Sequence, residues 1–283
     1  MNVLVTGGCG FIGYALTKEL LLRGYNVDII DNLSIGREAK DVTALGVNFL
    51  GGDVRAMENI PLKNYKYIFH LAALSRIQPS FKNPHTTFSV NAGGTRKVVE
   101  YALRNGSKLI YSGSSSKHHN PELSPYAMSK YIGEEWIKLY KTVYSFNAEI
   151  VRFYNVYGPG ELVDSHMAAV IGIWRAQIKN NQPLTIFGDG EQRRDFTHID
   201  DIVDGLIRIA ESDEKHEDAW ELGTGKNYSI NEVARMFNTE VVYLPDVKGN
   251  YRETIRVNND AIERLGWQPT DKLKQYINSL LWP

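Results

Sequence analysis

Val3-Leu4-Val5-Thr6-Gly7-Gly8-Cys9-Gly10-Phe11-Ile12-Gly13 opens the chain, and its reading decides the fold. The aliphatic run predicts a buried strand over 3–6. From Phe11 onward, apolar residues at Ile12, Leu16, Leu20 and Leu21 predict a helix that Gly24 stops. Glycines at 7, 10 and 13 lie between strand and helix or just inside the helix. They permit a tight turn and a close approach of the backbone to a bound group. The helix start offers unpaired N–H groups and a positive dipole end, which suit a phosphate. Strand, turn and helix are therefore predicted to form a pyrophosphate cradle from Gly7, Gly10, Phe11, Ile12 and Gly13. Taken alone, a glycine-rich turn of this kind also occurs with no ligand.

The pattern continues. Further strands are predicted over 27–31, 47–50, 67–71, 108–112 and 148–153, with helices over 88–104 and 125–144. Alternation of this kind predicts an α/β fold, a doubly wound Rossmann-type parallel sheet covered by helices on both faces. Gly158-Pro159-Gly160 breaks the rhythm. Beyond it come a helix over 166–180, a strand over 184–187 and a helix over 199–211. A helix over 232–237 capped by Asn231 and a helix over 261–265 ended by Gly266 follow. With no repeat or linker, residues 158–283 are expected to form a smaller, interwoven substrate domain. Residues 1–157 would form the cofactor domain and take back about 195–212.

Composition narrows the classes. The chain has 283 residues, a net charge of −1 and a single cysteine, Cys9. That gives ample core, no electrostatic case for a nucleic acid or a membrane surface, and no internal disulfide. Met1-Asn2 runs straight into the first strand, so a cytoplasmic protein without a leader or a membrane span is expected.

Two sets of side chains carry chemistry. Asp31 ends the second strand, 18 residues after Gly13. A carboxylate there accepts from both hydroxyls of an adenosine ribose and repels a 2′-phosphate, which favours NAD over NADP. Arg37 is the nearby feature that would reverse this. Asp53 and Val54 close the next strand, beside the expected adenine.

The second set is Ser124-Pro125-Tyr126-Ala127-Met128-Ser129-Lys130. Ser124 caps a helix with Pro125 at its first position, and Tyr126 and Lys130 then lie one turn apart. A phenol is a poor base at neutral pH. A lysine ammonium and a positive nicotinamide beside it lower its pKa. Strand 108–112 leads into Gly113-Ser114-Ser115-Ser116, and hydroxyls at the carboxyl end of a parallel strand face the ligand crevice. Ser114 is the first choice to bind the oxygen that Tyr126 deprotonates, and Ser116 the second.

At these residues the chain resembles the extended short-chain dehydrogenase/reductase family, in its nucleotide-sugar epimerase/dehydratase branch. The Gly7-x-x-Gly10-x-x-Gly13 spacing, Asp31-Asn32-Leu33-Ser34, Gly52-Asp53-Val54 and His70-Leu71-Ala72-Ala73 carry the likeness. Asn91-x-x-Gly94-Thr95, the Ser114, Tyr126 and Lys130 set, and Arg152-Phe153-Tyr154-Asn155-Val156-Tyr157-Gly158-Pro159 extend it. Gly188-Asp189-Gly190, Arg194-Asp195-Phe196 and Leu265-Gly266-Trp267-x-Pro269 complete it. The resemblance implies NAD as cofactor, with Tyr126 as base and Lys130 also on the nicotinamide ribose. It adds Asn32, Ser34, Leu71, Ala72, Ala73, Asn91, Ser112, Tyr154 and Val156 as cofactor contacts. Asn155 and Arg194 would approach the substrate diphosphate, with Arg252 or Lys248 as a second basic contact and Arg76 on the sugar or phosphate. No metal is implied.

The chain departs from the family at two places. The stretch from Lys117 to Glu122 is short where most relatives have a longer sugar-facing loop, and His118 and His119 within it are expected to be solvated. Ser115-Ser116 stands where sugar 4,6-dehydratases carry an acid pair, which disfavours dehydration. The expected activity is 4-epimerisation of a nucleoside-diphosphate sugar, UDP-linked by preference, through a transient 4-keto sugar. A keto-sugar-nucleotide reductase or dehydrogenase using NAD(P), and a non-catalytic NAD-binding sensor, are the alternatives. The resemblance also implies a homodimer through a four-helix interface, with Val98, Val99, Ile132 and Trp136 as its apolar contributors.

Overall fold

The structure is a computed structural model that describes residues 1–163 and 165–281; Asp164 and residues 282–283 of the expected second domain lie outside the described residues. Its centre is a seven-stranded, wholly parallel sheet. From edge to edge the strands are Trp220–Leu222, Ala148–Phe153, Lys108–Ser112, Tyr67–His70, Asn2–Thr6, Asn26–Asp31 and Asn48–Gly51. The chain winds outward one way from Asn2–Thr6 through the second and third strands, then the other way from Tyr67–His70. Ligands of doubly wound sheets bind at the carboxyl ends of the strands flanking such a reversal.

Side chains alternate across the sheet, as the pleat requires. Val3 and Val5 join one core with Leu16, Leu20, Ile202 and Leu206, while Leu4 joins the other with Val98, Val99 and Ile137. Helices Phe11–Leu22 and Ile199–Glu211 thus cover one face, and Thr95–Asn105 and Pro125–Tyr144 the other. Val98 and Val99 are fully buried in this core, which corrects their expected place on a dimer surface. Lys108 fastens the end of helix Ile199–Glu211 to the sheet by donating to Ile209 O (2.7 Å) and Ser212 O (2.6 Å). A third core, around Trp174, Leu184, Ile186, Val233 and Phe237, belongs to the smaller C-terminal layer.

Most elements fall where the sequence places them, and the exceptions have physical causes. The seventh strand, Trp220–Leu222, was not expected because Glu221 sits at its centre. Glu221 is fully buried but stands in register with Arg152, which pairs with it at 3.0 Å and with Glu134 at 2.7 Å. Partnering of this kind makes a charge tolerable inside a sheet. The predicted helix over 88–104 is an α-helical turn at Pro84–Phe88, a π-helical turn at Ser89–Gly94, then helix Thr95–Asn105. The helix expected over 166–180 begins later, at Val170. The helix expected after Asn231 is Ile230–Phe237, capped instead by Ser229, whose side chain and Glu232 form a reciprocal box. Asn231, itself buried, instead ties the 189–191 turn to the helix, donating to Asp189 O and Glu191 Oε1.

Candidate active site

A cleft of about 750 Å³ runs along the carboxyl ends of the strands and under the C-terminal layer. At one end lies the glycine turn. Gly7 has φ +75°, and a Cβ there would stand 2.7 Å from Ala72 N; a Cβ on Gly13 would meet Gly7 O at 2.1 Å. The helix from Phe11 has no side-chain cap at Gly10, so its first N–H groups face the cleft uncapped. Asp31 closes this end, with one oxygen held by Cys9 N–H (3.0 Å) and the other by Leu33 N–H (2.8 Å). Burial pushes its carboxyl up, against those two hydrogen bonds. Asp53, beside it, is held well below the usual carboxylate range by Arg55. Burial, then the charge of Asp31, pushes the Cys9 thiol to about 12, so it is no nucleophile.

Midway along the cleft, Ser124 accepts from Ala127 N–H at 3.1 Å and starts helix Pro125–Tyr144. That start aims Tyr126 and Lys130 inward. The Tyr126 hydroxyl lies 3.2 Å from Ser114 Oγ, and Ser116 Oγ lies 2.8 Å from the same atom. Lys130 donates to Ser112 O and its ammonium sits over the Tyr111 ring at 4.5 Å. Burial lowers its pKa to about 8, against the pull of Glu134. Burial also raises the Tyr126 phenol. The Ser114 hydrogen bond and the Arg76 guanidinium pull it down. Arg76 thus joins Lys130, one helical turn from Tyr126, as a cation of this part of the cleft. His70, buried between Thr6 (2.8 Å) and Thr95 (3.0 Å), is held neutral, its pKa lowered to about 3 by burial and then by Lys130.

The far end takes residues from distant parts of the chain. Arg76 donates to Met167 O and Ser75 O, both at 2.9 Å. Arg194 donates to Arg193 O (2.8 Å) and Asn250 Oδ1 (2.6 Å), and burial lowers its pKa to about 10. No carboxylate among the described residues lies within salt-bridge distance of it. Asn155, at φ +26°, gives its amide to Asp195 O (3.0 Å) and Thr254 Oγ1 (3.2 Å).

The cleft brings together Gly7, Gly10, Phe11, Ile12, Gly13, Asp31, Asn32, Ser34, Asp53, Val54, Leu71, Ala72 and Ala73. Ser112, Ser114, Ser116, Tyr126, Lys130, Val156, Asn155, Arg76 and Arg194 line it as well. Three expected contacts are elsewhere. Tyr154 turns away and gives its hydroxyl to Glu221 Oε2 at 2.5 Å, because that buried carboxylate needs a donor. Asn91 is spent on the backbone of Leu74 (2.8 and 2.9 Å) and on Ser129 (3.0 Å), so it shapes the cleft wall without facing the cleft. Arg252 is exposed and pairs with Asp189 at 2.9 Å. Its neighbours Asn250 and Tyr251 line the cleft instead, a choice within the segment that the sequence, read for basic residues, did not reveal. His118 and His119 are also not merely solvated. His118 docks on Glu221 at 2.8 Å, and His119 stacks on Tyr251.

The model of the NAD dependent epimerase/dehydratase family matches residues 3–223. The chain belongs to that family. It is 32% identical over 301 residues to a putative UDP-glucose 4-epimerase of Methanocaldococcus jannaschii, covering 99% of this chain and 97% of that one. The solved UDP-glucose 4-epimerase of Thermotoga maritima, with UDP-glucose, superposes with a TM-score of 0.90 at 28% identity, covering 99% of this chain and 97% of that one. A UDP-N-acetylglucosamine 4-epimerase from Methanobrevibacter ruminantium does so with a TM-score of 0.88 at 29% identity, covering 99% and 96%. The protein is therefore an NAD-dependent enzyme of the epimerase/dehydratase family. The cleft fits NAD: the turn has no room for a Cβ at Gly7 or Gly13, the helix start is uncapped, and the carboxylate of Asp31 lines the same end. Among the described residues no helix is long and apolar enough to cross a membrane.

Proposed function

We propose that this enzyme interconverts 4-epimers of a nucleoside-diphosphate sugar, UDP-linked, through a 4-keto sugar. The observation that carries the reading is one cleft in which the Tyr126–Ser114 pair, 3.2 Å apart, stands between the glycine cradle and the carboxylate-free Arg194. Bound NAD would take up and return the hydrogen and electron pair of the sugar's C4. Tyr126 removes the proton of the 4-hydroxyl and later restores it. Ser114 holds the same oxygen, and Arg76 favours the phenolate. Lys130, which donates to Ser112 O, would hold the nicotinamide ribose. Arg194 anchors the diphosphate, since a guanidinium fork matches phosphate oxygens. An anchored diphosphate and a loosely held ring allow the keto sugar to turn over before reduction. Ser115-Ser116 supplies no acid for dehydration. The 31% identity to the UDP-glucose 4-epimerase of Mycolicibacterium smegmatis supports the UDP preference.

The test is a panel of UDP-, GDP-, dTDP- and ADP-sugars followed by NMR with no added NAD. Appearance of the 4-epimer without net cofactor reduction is the expected result. A panel in which no sugar nucleotide is bound or altered, or in which only stoichiometric NAD consumption is seen, overturns it.

A further inference from the structure

Tyr251 belongs to a segment that reaches the cleft from the C-terminal layer. Gln78 Nε2 donates to Lys248 O at 2.7 Å, and Arg194 donates to Asn250 Oδ1 at 2.6 Å. Gly249 packs so closely that a Cβ would stand 2.9 Å from Ile77 Cγ2. These contacts fix the chain just before Tyr251, and Arg193 N–H donating to Arg252 O at 2.9 Å fixes it just after. Its ring is fixed too, lying flat on the His119 imidazole with centroids 4.0 Å apart and planes 8° from parallel.

Tyr251 is only 8% exposed, yet its hydroxyl makes no hydrogen bond among the described residues. Ser116, Ser124, Tyr126 and Arg194 lie near enough to influence it, without forming a hydrogen bond of good geometry. Buried phenol hydroxyls are nearly always paired, by protein, water or ligand. This one lines the cleft shared by Tyr126 and Arg194. If Tyr126 holds the reacting hydroxyl and Arg194 the diphosphate, the atoms spanning them are the sugar ring.

We infer that the Tyr251 hydroxyl is a specificity-determining contact to a polar substituent of the substrate's sugar, with His119 as the positioning residue that holds its ring. This rests on the nucleotide-sugar reading above and says which side chain reads the sugar. It also gives a role to the short 117–122 segment. This segment carries the His119 imidazole that stacks on Tyr251.

The experiment compares wild type with Tyr251→Phe, which keeps the ring and the stack and removes only the hydroxyl. Expected is a rise in KM for the UDP-sugar of about tenfold, with kcat within about twofold, as loss of a uniform binding contact gives. Affinity for UDP alone, NAD content and the pH profile of turnover should stay as in wild type. His119→Ala should raise KM in the same direction, and His119→Phe, which can still stack, should restore it. An unchanged KM and sugar preference in Tyr251→Phe overturns the inference while leaving the epimerase reading standing. An equal loss of affinity for UDP alone also overturns it, because the contact would then be to the nucleotide. If wild type binds no UDP-sugar, both readings fall together.

Discussion

The two ends of the cleft are built in different ways. The cofactor end is mostly backbone: a glycine turn, a helix start and the ends of strands close together in the sheet. Its recognition groups are N–H donors whose positions follow once the strand, turn and helix form. The end proposed for the sugar is mostly side chains from segments far apart, including Arg76, Ser114, Arg194 and Tyr251. None of those is placed by its own element alone. One end is therefore sensitive to added volume and the other to lost functional groups.

The largest effect tests the point where the two ends meet. Tyr126→Phe should lower turnover by about 10²- to 10⁴-fold, the usual range for a lost acid/base group, while NAD content stays at the wild-type level. A variant with full turnover would break the proposed mechanism.

Gly13→Ala puts a Cβ 2.1 Å from Gly7 O at the backbone-built end. Purified protein should then lose most of its NAD, with added stability cost of about 1–3 kcal/mol from overpacking. Retained NAD and an unchanged melting temperature would mean the turn is looser than described. At the other end, Arg194→Gln should weaken UDP binding about 10- to 100-fold, as expected for a charge-assisted contact, with NAD content unaffected. Titration calorimetry with UDP separates the two variants; a similar loss of NAD in both would erase the contrast.

Tyr154→Phe should act on stability, not on chemistry. Removing the donor to Glu221 leaves a buried carboxylate oxygen short of a partner, at a cost of about 1–3 kcal/mol in urea unfolding. A selective loss of turnover with no loss of stability would return Tyr154 to the cofactor. Smallest of all, Arg252→Ala should change KM by less than about twofold, because its partner is the exposed Asp189. A larger rise would mean that Arg252 swings from Asp189 to the substrate.

Legibility followed the same division. The Gly7, Gly10 and Gly13 spacing, Asp31 and the Tyr126–Lys130 pair were readable because each is a local pattern with one geometric consequence. Helix Pro125–Tyr144 and strand Ala148–Phe153 fall on the residues expected. Tyr154 and Asn91 were misplaced because their partners, Glu221 and the Leu74 backbone, come from other elements. The strand carrying Glu221 was itself invisible, since a charge at the centre of a three-residue strand looks like a loop until Arg152 is seen opposite. Arg252 or Lys248 was expected because a basic residue is the obvious diphosphate ligand, and only the fold spends the Arg252 charge on Asp189.

By itself the sequence determined the parallel α/β frame, the glycine turn and the Tyr126–Lys130 pair to which the chemistry is assigned in the proposal. Hydrophobic period, glycine spacing and a one-turn offset act over a few residues, where backbone geometry leaves little choice. Tertiary structure decided where Arg152 finds its carboxylates, where Tyr154 sends its hydroxyl, and which residues of the 248–252 segment line the cleft. Those outcomes depend on burial and on charges meeting across the fold, and both are set only when distant segments pack.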